Sequence, residues 1–274
     1  MGNTPYANFF LANEIEDQYT SRLDLQRFCV VRNDLEVNPG LTYTVNTYTG
    51  TGDTQVVAKT VGNTATIEAG YTPHNYTIQC IQNRFKYQDE DDLQDPMIFE
   101  TGARRAAAGI FNKVNDDIYA QLKLGTIPAV TTATPDFGAF VDVASGIATE
   151  DLEDLYLFAL VNPADMGKVR KALKDDLKYV EAFSRNGYVG TVAGINLFTK
   201  KNADVGTIVI ATNTACTVFN KKGVEVERVD RGNRGSDDAN TRTNWLFTRK
   251  YYVAALTDST KAGKITISTT QNPG

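Results

Sequence analysis

The longest helical pattern in this chain covers residues 95–124, and it limits the possible folds more than any other feature. Apolar side chains recur there every three or four residues, as on a helix with one buried face. They are Ala103, Ala107, Ile110, Val114 and Ile118, with Ala106, Phe111, Tyr119 and Leu122 beside them. Pro96 falls in the first turns, and Gly125 is placed to end the helix. About 30 residues at 1.5 Å each give roughly 45 Å, so we expect this helix to run along a domain as a spine.

Upstream of this helix, residues 41–69 are rich in β-branched side chains and contain one leucine and no phenylalanine. They form three runs, 41–49, 54–61 and 64–69, with turns at Gly50-Thr51-Gly52-Asp53 and at Gly62-Asn63. The first two runs and the turn between them predict a β-hairpin. Because a hairpin without a covered apolar face is marginal in water, this segment should lie against something else. A neighbouring copy of the chain is the simplest candidate, and an ordinary exposed hairpin is the alternative.

Downstream of the helix, residues 131–148 are small and turn-rich, which indicates a crossing between subdomains. Residues 156–161 form a nearly continuous apolar run, which predicts a strand buried on both faces. Asn162 and Pro163 follow at once, as N-cap and first helical residue. They predict a helix that continues towards residue 180.

The remaining sequence is rich in strands. They are predicted at 77–87, 189–199, 207–212, 217–220, 224–229 and 264–268. The longest alternating strand follows a polar loop at 230–242, and its side chains Trp245, Phe247, Arg249, Tyr251 and Val253 share one face. The expected fold class is therefore α+β.

Charge and cysteine content exclude several classes of protein. Lys and Arg number 28 against 33 Asp and Glu, and the resulting net charge of −5 disfavours tight, dedicated nucleic-acid binding. The three cysteines, Cys29, Cys80 and Cys216, lie far apart in sequence, so neither a disulfide framework nor a zinc site is predicted. No signal peptide or long apolar run is present, so we expect neither secretion by that route nor a membrane-spanning segment.

Residues able to carry out catalysis are scarce. His74 is the only histidine, which removes most catalytic triads and imidazole metal sites, and it is interpreted as a polar residue in the turn after Pro73. The acidic run 89–92 has oxygen ligands for a hard cation but lacks the calcium-loop spacing, so an N-capping acidic turn is the simpler interpretation. No phosphate loop or dinucleotide motif occurs. We therefore expect no catalytic, cofactor-binding or metal-binding residues.

The order of these elements resembles the major capsid proteins of tailed phages, whose HK97-like fold is shared with encapsulin compartments. The resemblance covers nearly the whole chain and rests on order, because each motif alone is weak. It includes Leu160-Val161-Asn162-Pro163-Ala164-Asp165, where a buried strand leads into a helix that begins with proline, and the glycine-containing strand 190–198. The long strand 244–256 and the run 264–267 resemble the family's return into its peripheral domain.

The resemblance implies a division of the chain. We expect an N-terminal arm at 1–36 and an extended loop at 37–76. A peripheral domain would combine 77–146, including a spine helix at 93–124, with 243–274. An apical domain would cover 147–242.

It also implies positions for contacts between copies in hexamers and pentamers of an icosahedral shell. The extended loop would contribute Tyr43, Val45, Tyr48, Val57, Lys59, Val61 and Ile67. Lys59 is the only lysine of this loop, and some relatives crosslink such a lysine to an asparagine of a neighbour. A loop of mixed charge would approach the capsomer axis with Asp230, Arg231, Arg234, Asp237 and Asp238; a solvated loop is the alternative. Arg104 and Arg105 would face packaged double-stranded DNA, or else be exposed or paired with carboxylates.

The implied function is a phage shell protein found in the virion and, during assembly, in the host cytoplasm. Its partners would be copies of itself, a portal and decoration proteins, with non-specific DNA contact and no membrane. Many relatives carry a removable scaffolding segment where this chain begins its arm, so a separate scaffolding protein is expected. The alternatives are an encapsulin, which would show an inward pocket for a cargo peptide near the arm and spine, and an α+β enzyme, which would show a pocket with converging titratable groups.

Overall fold

The computed structural model describes residues 23–36, 39–52, 54–57, 59, 62–94, 97–125, 129–147, 156–174, 190–230 and 240–268. The α-helices are α1 Asp89–Gln94, α2 Met97–Leu122, α3 Phe137–Ile147 and α4 Pro163–Ala172. The strands are β1 Val30–Arg32, β2 Thr42–Thr51, β3 Glu68–Thr77, β4 Gln79–Gln88, β5 Val130–Thr132, β6 Leu157–Val161, β7 Thr191–Val192, β8 Ile195–Thr199, β9 Thr207–Thr212, β10 Cys216–Val229, β11 Thr243–Leu256 and β12 Ala262–Ile267. Short 3-10 helices cover Leu25–Phe28, Asp34–Glu36 and Ser259–Lys261.

Helix α2 is the predicted spine, and its buried side chains are those of the predicted stripe. It has 26 residues, or about 39 Å. Residues 123 and 124, the last two of the predicted span, form a turn instead of continuing the helix. Pro96 lies outside the described residues. Gly125 follows the helix as predicted, and its N–H donates to the Leu122 carbonyl at 3.2 Å. Its Cα lies so close to β12 that a Cβ would be 2.2 Å from the Ala262 carbonyl oxygen.

Helix α2 packs on one face of a sheet whose described strands have the order β1-β10-β11-β4. The alternation predicted for the long strand is confirmed, since one residue in two along β11 is buried against the helix. Tyr252 on that buried face donates to the Asp117 carboxylate of α2 at 2.7 Å. The opposite face carries the predicted row from Trp245 to Val253, which is half-buried.

A second sheet, with the described order β5-β12-β9-β6-β8-β7, separates two apolar cores. Its central strand β6 is fully buried, as predicted. Phe158 and Leu160 face the core that contains α2, whereas the alternate residues of β6 face α3 and α4. The predicted cap of α4 is confirmed, because Asn162 accepts a hydrogen bond from the Ala164 N–H at 2.9 Å. Residues 175–180, where this helix was predicted to continue, lie outside the described part of the chain.

Helix α3 corrects the prediction of a turn-rich crossing at 131–148. Asp136 caps it by accepting a hydrogen bond from the Ala139 N–H at 3.0 Å. Its side chains Ala139, Phe140, Val143, Ala144 and Ile147 are buried at three- and four-residue spacing. The small residues that indicated a loop instead allow the helix to pack closely on β12.

The strand pairing of the predicted hairpin was wrong in its second half. β2 pairs with β3 from Thr42 opposite Thr77 to Thr51 opposite Glu68, rather than with 54–61 across a turn at 50–53. Residues 54–57 and 62–67 have no regular structure. Pro73 is accommodated because β3 has one edge unpaired in the described structure, where a missing N–H costs little. His74 therefore lies within a strand, opposite Val45, and not in a turn.

Two smaller differences arise from local geometry. The predicted strand 189–199 is a β7–β8 hairpin, whose turn residues Ala193 and Gly194 both have positive φ, at 50° and 78°. The two strands predicted at 217–220 and 224–229 are one strand, β10, with register irregularities around Lys222. An irregularity lets a strand continue past residues that would otherwise break its alternation.

Candidate assembly surface

The β2–β3 hairpin is anchored to the rest of the chain at its root. The Ile78 N–H donates to the Leu41 carbonyl at 2.7 Å and closes the base. Tyr43 and Tyr76 contact the Phe219 ring of β10, with ring centroids 4.7 Å and 5.6 Å away. Burial at this position raises the pKa of the Tyr76 hydroxyl above its ordinary value. These contacts fix the direction in which the hairpin leaves the sheet.

Beyond the root, the hairpin carries apolar side chains that face solvent. We call residues 46–75 the distal hairpin; wherever its side chains are described, they are exposed, except the half-buried Ala65. Tyr71 is 67% exposed, Ile67 66% and Val56 97%. Ten paired residues in each strand extend about 34 Å. The distal hairpin is therefore a long projection whose described side chains bury little surface against the rest of this chain.

The end of the distal hairpin is shaped by contacts between its own residues. Gly52 has a φ of 126°, and a Cβ there would lie 2.4 Å from the Thr66 carbonyl oxygen, so this close approach requires glycine. The Thr64 N–H donates to the Gln55 side-chain oxygen at 3.2 Å. These contacts hold both sides of the end together without a tight two-residue turn.

Five of the seven loop residues predicted to contact a neighbour have described side chains, and these five form two groups. Tyr43 and Val45 are half-buried at the root and pack on Phe219 and Ile78 of their own chain. Val57, Lys59 and Ile67 are exposed in the distal hairpin. Tyr48 lies in β2 opposite Tyr71, but its side chain is outside the described structure, as is Val61.

The predicted axis loop is described only at its ends. Asp230 is exposed and accepts a 2.6 Å hydrogen bond from Arg228, whereas Arg231, Arg234, Asp237 and Asp238 lie outside the described residues. The loop connects β10 to β11 beside the start of α1, where Arg242 pairs with Glu90 at 2.5 Å. The described ends of the loop therefore lie near the start of the long helix, whereas the six-stranded sheet contacts its other end, at Gly125. The position at a capsomer axis stays a prediction.

Arg104 and Arg105 are both exposed on α2. Arg104 forms an ion pair with Glu100, one turn earlier on the same helix. Contact with DNA therefore stays a prediction for both, and the paired alternative describes Arg104 in this structure.

A polar cavity of about 380 Å³ lies where the start of the described chain meets the long helix. It is lined by Leu23, Leu25, Phe111, Asn112, Asn115, Asp116, Thr199, Lys200, Lys201 and Asn202. Asn115 holds the start of the described chain there, since its side chain accepts a hydrogen bond from the Leu25 N–H and donates one to the Leu23 carbonyl, both at 3.0 Å. Lys200 and Asp116 form an ion pair at its edge.

The described residues contain no helix that is both long enough and apolar enough to span a membrane. Within the same residues, no group of three or more His, Cys, Asp or Glu side chains could hold a metal ion. Sequence reasoning missed one juxtaposition: Cys29 and Cys216, far apart in the chain, lie side by side in the core. No local signal predicts this pair, because it depends on how β1 pairs with β10.

No protein-family model matches the chain. It is similar to the major capsid protein of Staphylococcus phage phiMR11, with 28% identity over 275 residues that cover 93% of this chain and 91% of that protein. Among solved structures, the capsid of a native GTA particle has a TM-score of 0.71 at 13% identity, covering 89% of this chain and 90% of that one.

Two further solved structures extend this comparison. The mature capsid of bacteriophage PhiM1 has a TM-score of 0.64 at 13% identity, covering 91% of this chain and 89% of that one. A virus-like particle from Pyrococcus furiosus has a TM-score of 0.61 at 12% identity, covering 94% and 99%. At these low identities, the structural similarity establishes the fold alone. The phage relative adds a sequence match along almost the whole length. The chain thus has the HK97-like fold of tailed-phage capsid proteins.

Proposed function

We propose that copies of this chain form the hexamers and pentamers of an icosahedral shell that encloses the double-stranded DNA of a tailed phage. The observation that carries this proposal is the distal hairpin, whose root packs against the rest of the chain and whose described side chains are almost all exposed. Exposed apolar side chains on such a projection favour burial against another molecule. A copy of the same chain is the partner that a capsid fold supplies. Many weak contacts of this kind add up to a stable closed shell.

Shortening the hairpin tests this proposal. Replacing residues 52–67 with Asn-Gly joins Thr51 to its partner Glu68 through a two-residue turn. We expect the variant to fold, with an unchanged midpoint of thermal unfolding, but to form no closed shells in electron micrographs. A matched pair of point variants refines the test: Ile67→Asp should impair assembly, whereas Val205→Asp, at a site of similar exposure outside the hairpin, should not. Normal shells from the shortened chain would contradict the proposal.

The domain division is part of this proposal. An apical domain at 147–242 would meet its copies within a capsomer, and a peripheral domain at 77–146 and 243–274 would carry the spine. The packing supports two units, because separate apolar cores lie on either side of the six-stranded sheet. The proposed boundaries cut through this packing, because β5, β12 and most of α3 are assigned to the peripheral domain but lie in the sheet or core of β6.

The charged loop 230–242 supplies the second test. We propose that its arginines meet aspartates of a neighbouring copy around the capsomer axis. Replacing Arg231 and Arg234 with glutamate should then reduce capsomer formation at low salt, with partial rescue by adding Asp237→Lys and Asp238→Lys. Capsomer yields are compared by native gel or sedimentation at two ionic strengths. If the arginine variant and the unaltered chain gave equal capsomer yields at both ionic strengths, the loop would be a solvated loop without this role.

The remaining partners follow from a shell role. Arg104 and Arg105 would make weak, sequence-independent contacts with packaged DNA, which suits a chain with a net charge of −5. A separate scaffolding protein, a portal and decoration proteins would complete the assembly, and the chain itself would be structural rather than catalytic.

A compartment that holds protein cargo is the second candidate. The cavity between arm and spine favours it, because a cargo peptide would need a site there, and the virus-like particle from Pyrococcus furiosus shares the fold. Analysis of particle contents distinguishes the two functions: a length of double-stranded DNA supports the phage shell, and a co-purified enzyme supports the compartment.

A further inference from the structure

Two of the three cysteines are neighbours across the junction between the arm and the four-stranded sheet. β1 runs parallel to β10, with Val30 opposite Thr217. Cys29 comes directly before Val30 in the sequence, and Cys216 comes directly before Thr217. Cys29 has an extended backbone, with φ −128° and ψ 160°, so it continues the line of β1. The two cysteines are therefore lateral neighbours, whose side chains leave the sheet on the same face.

This geometry suits a disulfide bond. Adjacent strands lie about 4.8 Å apart, which is within the range of Cα separations that disulfides span. Both side chains enter the same apolar core, where Cys216 is fully buried and Cys29 packs at the edge. Hydrogen bonding with the Cys216 thiol, together with burial, raises the pKa of the Cys29 thiol far above its ordinary value.

We propose that Cys29 and Cys216 are a latent disulfide that closes when the protein leaves a reducing cytoplasm, and that this bond fastens the base of the N-terminal arm to the sheet. In the host cytoplasm, low-molecular-weight thiols keep both cysteines reduced. The neutral thiols pack as small apolar groups there, so the folded chain does not depend on the bond.

The oxidant is a small disulfide such as oxidised glutathione. Cys29, the more accessible residue, loses its proton and attacks one glutathione sulfur; this forms a mixed disulfide and releases glutathione, which takes up a proton. Cys216 then loses its proton and attacks the Cys29 sulfur. The Cys29–glutathione bond breaks, the Cys29–Cys216 bond forms, and a second glutathione leaves. Two protein thiols are oxidised, and one small disulfide is reduced to two thiols.

Peptide mapping of the folded protein tests this proposal. The purified chain is incubated with oxidised glutathione under native conditions, alkylated, and digested with trypsin without reduction. We expect a disulfide-linked pair of peptides, 28–32 with 202–221, whose mass is two hydrogens below the sum of the two. The exposed Cys80, in peptide 60–84, reports that the oxidant is active. Cys80→Ser should keep the linked pair, whereas Cys29→Ser and Cys216→Ala should each abolish it.

Thermal unfolding gives a second readout. The oxidised protein should unfold about 5–10 °C above the reduced protein, and dithiothreitol should reverse the shift in the native chain and in Cys80→Ser. Glutathione on Cys80 with free thiols in 28–32 and 202–221 would overturn the proposal. So would a linked pair that appears only after the chain is unfolded. If a cysteine variant fails to fold, peptide mapping and thermal unfolding of the native protein still distinguish these outcomes.

Discussion

Replacing Ile110 or Ala107 with aspartate is expected to abolish the folded chain and, with it, every assembled particle. Both side chains are 2% exposed, on the face of α2 that packs against the four-stranded sheet. A carboxylate placed there loses its hydration without gaining a partner, which costs several kcal/mol. Total stabilities of about 5–15 kcal/mol leave little margin for such a loss.

Lys113→Asp is the matched control, since it introduces the same side chain on the exposed face of the same helix. The Lys113 side chain is 57% exposed and pairs with Asp117 at 2.6 Å. Loss of an exposed pair costs less than about 1 kcal/mol, so this variant should remain soluble and assemble. Soluble yield, circular dichroism and particle counts measure all three variants. Equal assembly of the three would show that the buried face of α2 is assigned to the wrong residues.

Gly125→Ala is expected to destabilise the chain by about 1–3 kcal/mol, although a single methyl group is added. The new Cβ would lie 2.2 Å from the Ala262 carbonyl oxygen and 2.5 Å from its carbon. Both are backbone atoms of β12, so the contact is relieved only if the helix end or the strand moves. The change therefore loosens the junction between the long helix and the six-stranded sheet.

Gly167→Ala makes the same chemical change but is expected to raise the free energy of unfolding instead of lowering it. Gly167 lies inside α4, is exposed, and has nothing within 4 Å of its added Cβ. Alanine should stabilise this helix by about 0.5–1 kcal/mol. Denaturant unfolding of both variants at one temperature measures the two effects. A Gly125→Ala variant as stable as the unaltered chain would mean that β12 does not approach the helix end this closely.

Several features were determined by the sequence alone because their causes are local. The buried face of α2 follows from side chains three and four residues apart, and the start of α4 from Asn162 and Pro163. The two-sided burial of β6 follows from its continuous apolar run, and the faces of β11 follow from alternation. The order of these elements resembles that of tailed-phage capsid proteins, and this resemblance indicated the fold.

Tertiary structure decided the features that depend on residues distant in sequence. β2 takes β3 as its partner because ladder pairing along ten residues, and the root contacts with Phe219, outweigh the nearer turn at Gly50. Helix α3 is stable because it packs against β12, although its small residues also suit a loop. Cys29 meets Cys216 only because β1 pairs in parallel with β10. Periodicity and capping act within a few residues, whereas strand partners and core neighbours are selected by the burial of surfaces that the whole chain brings together.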